Sequence, residues 1–311
     1  MSIGSILNQI IPMFVVMAIG YAMRRFNMVP KSFRKNLSAV CVDVLIPGII
    51  IYSVCVGGNG ADIFESLRIV AAGAVCLLAS MAAAAAICRF MTKNTDEFNM
   101  LWMVSAFSNF GLVGYTLVAN LFGSEALFNA SMFLLPCMLA MNSITVIMLQ
   151  RGKGGKIDFK AALLSPPVIT SVIAVIILIL RIPLPTFVVN TVTHMSKALT
   201  PAGMLLVGMS MMDYGFEGMF SDARVYVVTA LRLAVMPLMC FGINLAMGLT
   251  GFEALSGALP LAVPAPINTV ILAERFNGDT KMAARLTLMT TVFSIVTMPL
   301  LSYMLAKFIG V

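Results

Sequence analysis

PLAVPAPIN, residues 260–268, interrupts an apolar run that is otherwise long enough to cross a bilayer. Pro264 and Pro266 each lack an N–H and crowd the preceding turn, so a regular α-helix is expected to break there. A second stretch, SNFGLVGYT at residues 108–116, interrupts another such run in the first half of the chain. Gly111 and Gly114 loosen a helix without forcing a break, and Asn109 offers an amide to freed backbone groups or to a ligand. Both stretches also have a plainer reading, as kinks in packed membrane helices.

The surroundings of these interruptions are those of an all-α integral membrane protein. Hydrophobic residues make up 60% of the 311 and charged residues only 11%, against about 25% charged in soluble domains. A helix needs about 20 apolar residues to span the hydrocarbon core, and the unbroken runs lack the alternation of a barrel strand. Ten spans are expected, at 3–23, 37–56, 69–88, 98–122, 127–149, 161–180, 198–212, 225–249, 254–273 and 282–308. The first run carries no leading positive charge and reads as a retained span rather than a signal peptide.

The longest polar interruption, QRGKGGKIDFK at 150–160, falls near the midpoint and reads as a flexible linker. It divides the chain into a five-helix unit at 1–150, a cytoplasmic linker at 151–160 and a second five-helix unit at 161–311. Five is odd, so a second half folded like the first enters the membrane from the opposite side, as an inverted repeat. LVANLFGSEA (117–126) and ILAERFNGDT (271–280) echo each other weakly, and each closes the fourth span of its half. Matching interrupted helices in inverted halves point to a solute site near the midplane, with half-helix N-termini favouring an anion and free carbonyls a cation. The expected substrate-binding residues are Asn109, Gly111, Gly114, Pro264, Pro266 and Asn268.

With loops assigned alternately to the two faces, 15 Lys and Arg fall on one side and 4 on the other. Basic residues accumulate in cytoplasmic loops, so both termini are expected outside. The net charge of +7 is accounted for by this asymmetry and by anionic lipid headgroups, with no nucleic-acid partner. Ionisable groups inside spans are functional candidates. Asp43 either carries a proton or cation or pins the second helix through a hydrogen bond. Arg232, about 10 Å past Val225 by helical rise, is shallow enough to snorkel to the cytoplasmic face; contact with an anionic substrate is its other reading. Glu274, beside Arg275, reads as a solvated interfacial pair or as a second ion-coupling carboxylate.

The six cysteines lack CxxC spacing and read as packing residues. His194 falls in an expected outside loop with no second ligand nearby, so neither metal nor cofactor is expected. No HExxH, P-loop or GxSxG is present, and nothing marks the chain as an enzyme.

The segments LSAVCVDVLIPGIIIYSV (37–54), ALTPAGMLLVGMSM (198–211) and PINTVILAERFNGDTKMAARLTLMTTVFSIVTMPL (266–300) resemble the auxin efflux carrier family, in its bacterial branch of malate or malonate permeases. Asn268, Ala273, Gly278, Asp279, Thr291, Ser294 and Pro299 fall where that family's pattern expects them, and Asn109, Gly111 and Gly114 match its Asn-x-Gly-x-x-Gly segment. The resemblance implies ten helices in two inverted repeats, fourth and ninth helices that cross at their breaks, both termini outside a bacterial plasma membrane, and a homodimer through the first, second, sixth or seventh helices. In one departure, Thr116 stands where the family usually has a proline, leaving the first break to the glycines. The expected function is secondary transport of a small organic anion by alternating access, driven by a proton or sodium gradient. A channel, or a ligand-sensing membrane protein without transport, is the competing expectation.

Overall fold

Polar caps set several of the helix starts. The side chain of Asp62 accepts from the Phe64 N–H, Asn94 from Asp96 and Glu97, Asp222 from Arg224, and Asp279 from Met282, each satisfying an N–H that a helix cannot pair within itself. The computed structural model describes residues 3–57, 62–150, 164–215, 219–266, 269–270 and 279–310. The elements are α1 (Ile3–Arg25), α2 (Lys31–Val56), α3 (Ile63–Met91), α4 (Thr95–Ala106), α5 (Tyr115–Gln150), α6 (Pro166–Leu180), α7 (Thr186–Tyr214), α8 (Ala223–Ala246), α9 (Gly251–Ala258) and α10 (Thr280–Phe308). Among the described residues there is no strand. Six stretches are long and apolar enough to cross a membrane: α1, α2, α3, α8, α10 and the path Thr95–Met141 through α4 and α5. The chain is thus an integral membrane protein, and its outward rows fit lipid. Ile11, Val15 and Ile19 on α1, and Val172, Ile173 and Ile176 on α6, are about half exposed, an apolar surface that water would not tolerate.

Without a hydrophobic drive between helices in lipid, close backbone approach carries the packing. α1 and α7 lie against each other through two reciprocal glycines: a Cβ on Gly20 would overlap the Leu205 carbonyl oxygen, and one on Gly208 the Met17 carbonyl oxygen. α3 and α5 meet in the same way at Gly73, where the Phe133 carbonyl fills the place of a side chain. α1, α2, α6 and α7 pack as one group. α3, α4, α5, α8, α9 and α10 pack as another.

Ion pairs join the ends of distant elements. Asp213 at the end of α7 holds Arg24 at 2.7 Å and Arg34 at 2.9 Å, and Arg224 bridges Asp222 at 2.7 Å and Glu97 at 2.9 Å. The Arg224 guanidinium beside Asp222 holds that carboxyl below the usual aspartate range. Arg68 pairs with Glu253 at 3.0 Å. Each bridge joins groups that the alternate loop assignment places on the same face, the first two on the basic face and Arg68–Glu253 on the other.

Two expectations change. α7 begins at Thr186 rather than near residue 198, so His194 lies on an exposed helical surface and not in a loop. Its first half, with Asn190, Thr191, Thr193, Ser196 and Lys197, is polar enough to pass for a connection. The expected connection between the fourth and fifth spans is a sharp kink at Gly123 within α5 (φ 77°, ψ −162°), a backbone shape that side chains disfavour. The expected linker at 151–160 lies outside the described residues.

Candidate functional site

The two interrupted segments meet backbone to backbone. α4 ends at Ala106, Phe107 is extended, and a wide π turn covers Phe110–Gly114 before α5 begins. Opposite it, α9 ends at Ala258, a short 3-10 turn covers Leu259–Leu261, and residues 264–266 have no helical structure. The Asn109 N–H donates to the Pro264 carbonyl at 2.8 Å, and the Ser108 hydroxyl to the Pro260 carbonyl at 2.9 Å. Thr290 on α10 accepts the Ala265 N–H at 3.1 Å. Polar backbone freed by each break is therefore satisfied largely by the other half, as a low-dielectric interior requires.

The first break falls before the glycines rather than at them, and the glycines have other work. A Cβ on Gly114 would come to 3.2 Å from the Cα and Cβ of Pro260, and one on Gly111 to 2.9 Å from the Ile46 Cδ1; both permit close contact. Thr116, fully buried, donates its hydroxyl to the Leu112 carbonyl. This back-bond occupies an acceptor in the π turn that a proline at 116, with neither hydroxyl nor N–H, would leave without a donor from that residue. The break thus rests on contacts between the halves, and its formation does not depend on a proline at 116.

Arg232 is the largest fully buried side chain among the described residues, 0% exposed, and this overturns the snorkelling expectation. It lies in a π turn, Leu231–Val235, on the inward side of α8. Distance along the helix axis says nothing of which side is buried, and here the side chain turns into the bundle. Its Nη2 donates to the Leu261 carbonyl at 2.6 Å, three residues from the Pro264 carbonyl that holds Asn109. Among the described residues the Nε and Nη1 of Arg232 and the Nδ2 of Asn109 have no hydrogen-bond partner, and no carboxylate forms an ion pair with Arg232. A buried guanidinium so poorly matched is costly. Beside the crossing is a cavity of about 10 Å³ lined by Ser80, Phe107, Ser108, Cys137 and Leu261, roughly one water in size.

Of the expected site residues, Asn109, Gly111, Gly114, Pro264 and Pro266 lie on the two interrupted segments. Asn268 and Glu274 lie outside the described residues. Asp43 is exposed in a π turn, Cys41–Leu45, whose Cys41 and Leu45 face inward. No hydrogen bond of the expected pinning kind reaches it among the described residues. Ser108 and Thr290 were not anticipated. Ser108 adjoins Asn109 in the quoted stretch, but Thr290 is one hydroxyl among many in an apolar helix, and only its spatial neighbour marks it out.

Long apolar helices and broken segments with inward-facing polar groups define the class, an α-helical integral membrane protein. The family described as "Membrane transport protein" matches residues 5–302, and the chain belongs to it, the auxin efflux carrier family. Similar proteins include an uncharacterized transporter of Methanothermobacter thermautotrophicus, 24% identical over 304 residues, covering 96% of this chain and 98% of the relative. An uncharacterized transporter of Methanocaldococcus jannaschii is 23% identical over 306 residues, with the same coverage of 96% and 98%. The uncharacterized transporter YfdV of Escherichia coli is 21% identical over 309 residues, with 96% of each chain covered.

Proposed function

We propose that the protein is a secondary carrier of a small organic anion, mono- or dicarboxylate in size, with its solute site where the interrupted segments meet. The observation that carries this reading is Arg232, a fully buried cation with two guanidinium nitrogens lacking partners among the described residues, bonded to the same broken segment that holds Asn109. In a water-poor interior such donors bind a carboxylate far more strongly than they would in water. The two packed helical groups supply units that move against each other, exposing the crossing to one face and then the other. In this reading the chain comprises ten spans in two inverted halves, 1–150 and 161–311, joined by a cytoplasmic linker, in a bacterial plasma membrane with both termini outside.

The test is uptake of labelled malate, malonate and indole-acetate into proteoliposomes, with and without a proton or sodium gradient. Saturable, gradient-sensitive flux of an organic anion is expected. Its absence for every anion tried defeats the reading, and non-saturating flux without counterflow makes the protein a channel.

Coupling is assigned to Asp43, a carboxylate within a membrane-length helix and without a hydrogen-bond or ion-pair partner among the described residues. Asp43→Asn is expected to retain downhill anion exchange and to lose its dependence on the gradient. A pH and sodium dependence equal to that of the unmodified protein would remove Asp43 from the coupling role.

A further inference from the structure

A second cavity, about 400 Å³, lies between the two helical groups at a distance from the crossing. Ile49 and Tyr52 of α2 and Ser196, Lys197, Thr200 and Pro201 of α7 form one wall, and α5 from Ala119 to Leu127 forms the other. Its size is in the range of small-molecule sites. Asn120 is 11 residues beyond Asn109, which at helical rise places this part of the cavity roughly 15 Å along the chain from the crossing. The cavity lies toward the face that carries Arg68 and Glu253, the face with few basic residues.

The chemistry of the lining is one-sided. Among the described residues Lys197 is its one charged lining residue, accompanied by Ser196, Thr200, Ser124 and Tyr52 with their hydroxyls and Asn120 with its amide. No carboxylate lines the cavity, and none forms an ion pair with Lys197 among the described residues. Backbone adds to this. Pro201 cannot donate to the carbonyl of Lys197 four residues earlier, and Gly123 breaks the hydrogen-bond ladder of α5 on the opposite wall. Ser196, Lys197 and Thr200 are polar where α7 lines this cavity, as side chains of this kind are tolerated where they line water rather than lipid.

We infer that this cavity is a second anion site, an antechamber in which Lys197 captures the carboxylate of a small solute before it reaches the crossing. The inference rests on the carrier reading above and adds a sided determinant to it. A cation in a recess raises the local anion concentration, so Lys197 sets half-saturation from the Arg68–Glu253 face. Lys197 is exposed, and replacing it removes no buried contact.

The experiment uses the full chain in uniformly oriented proteoliposomes, with malonate and malate as labelled solutes added from either side. Lys197→Gln is expected to raise KM from the Arg68–Glu253 face about tenfold, Lys197→Glu to raise it further, and Lys197→Arg to stay near the unmodified value. KM from the opposite face should not move, and the equal loss of Vmax/KM that detailed balance requires from that side should appear in its maximal rate, as slower release through the antechamber. A purely structural role would alter both faces alike and lower the Tm, so Tm is recorded for every variant, and Lys197→Gln carries the test should Lys197→Glu fail to fold. A KM from the Arg68–Glu253 face unchanged within about twofold in Lys197→Gln, or a rise equal on both faces, overturns the antechamber. Anion flux that persists with silent Lys197 variants defeats this inference alone; unmodified protein that carries no anion defeats the carrier reading with it.

Discussion

Replacing Arg232 with methionine is expected to leave the protein folded and to lower anion flux by about 100-fold or more, equivalent to ~2.7 kcal/mol of lost transition-state binding. The two halves of this expectation have different origins. A buried charge with one good hydrogen bond and two guanidinium nitrogens without partners among the described residues contributes little to stability, because its desolvation is only partly offset. An apolar residue of similar volume is often neutral or stabilising at such a position. Flux should fall because the groups removed are those that face the carboxylate. Arg232→Lys keeps the charge but loses the planar fork, and an intermediate flux is expected. Thermal unfolding in detergent and KM against maximal rate in proteoliposomes check the pair of expectations. A variant that loses fold and flux together would make the Leu261 bond the main role of Arg232, and one that keeps both would remove it from the solute site.

The second large effect concerns the fold. Gly208→Val is expected to abolish assembly of α1 on α7, since its side chain would occupy the position of the Met17 carbonyl and crowd the Tyr21 amide nitrogen. Both obstacles are backbone, so neither can rotate away, and the helices must separate along their length. Overpacking of a tight interface costs about 1–3 kcal/mol and more where relief requires backbone movement. Gly242→Ala on α8 is the matched control. No atom lies within 4 Å of a Cβ added there, so its stability should hold or rise by up to about 1 kcal/mol from helix propensity. Size-exclusion profiles and Tm values decide it: an unchanged monodisperse peak for Gly208→Val would mean that α1 and α7 do not pack as closely as described.

Apolar continuity in the chain was enough to place α1, α8 and α10 within about three residues, because a membrane-length run has few alternatives to a helix, whereas α3 begins six residues ahead of the expected start, at the polar cap Asp62. The prolines at 264 and 266 likewise marked where regular structure fails, since the lack of an N–H is a local property. What was not legible depends on neighbours in space. The first break sits at Phe107–Asn109, ahead of the glycines, because the acceptors that receive the Ser108 hydroxyl and the Asn109 N–H belong to the other half of the chain. The start of α7 was hidden because Ser196, Lys197 and Thr200 line a cavity, giving a membrane-length helix the composition of a loop. Arg232 and Asp43 were placed by axial depth, whereas their roles turn on which side of the helix is buried. Arg232 faces the bundle and Asp43 faces away from it.

The account stands on the crossing as the place where solute is held. The most direct measurement is a structure of flux-competent protein in lipid nanodiscs at saturating malonate or malate. Ligand density is expected against the Asn109 side chain and the free N–H groups of Arg232, with the cavity beside the crossing enlarged beyond its present 10 Å³. An empty crossing in protein that transports the same solute, with the ligand seated elsewhere, would contradict it.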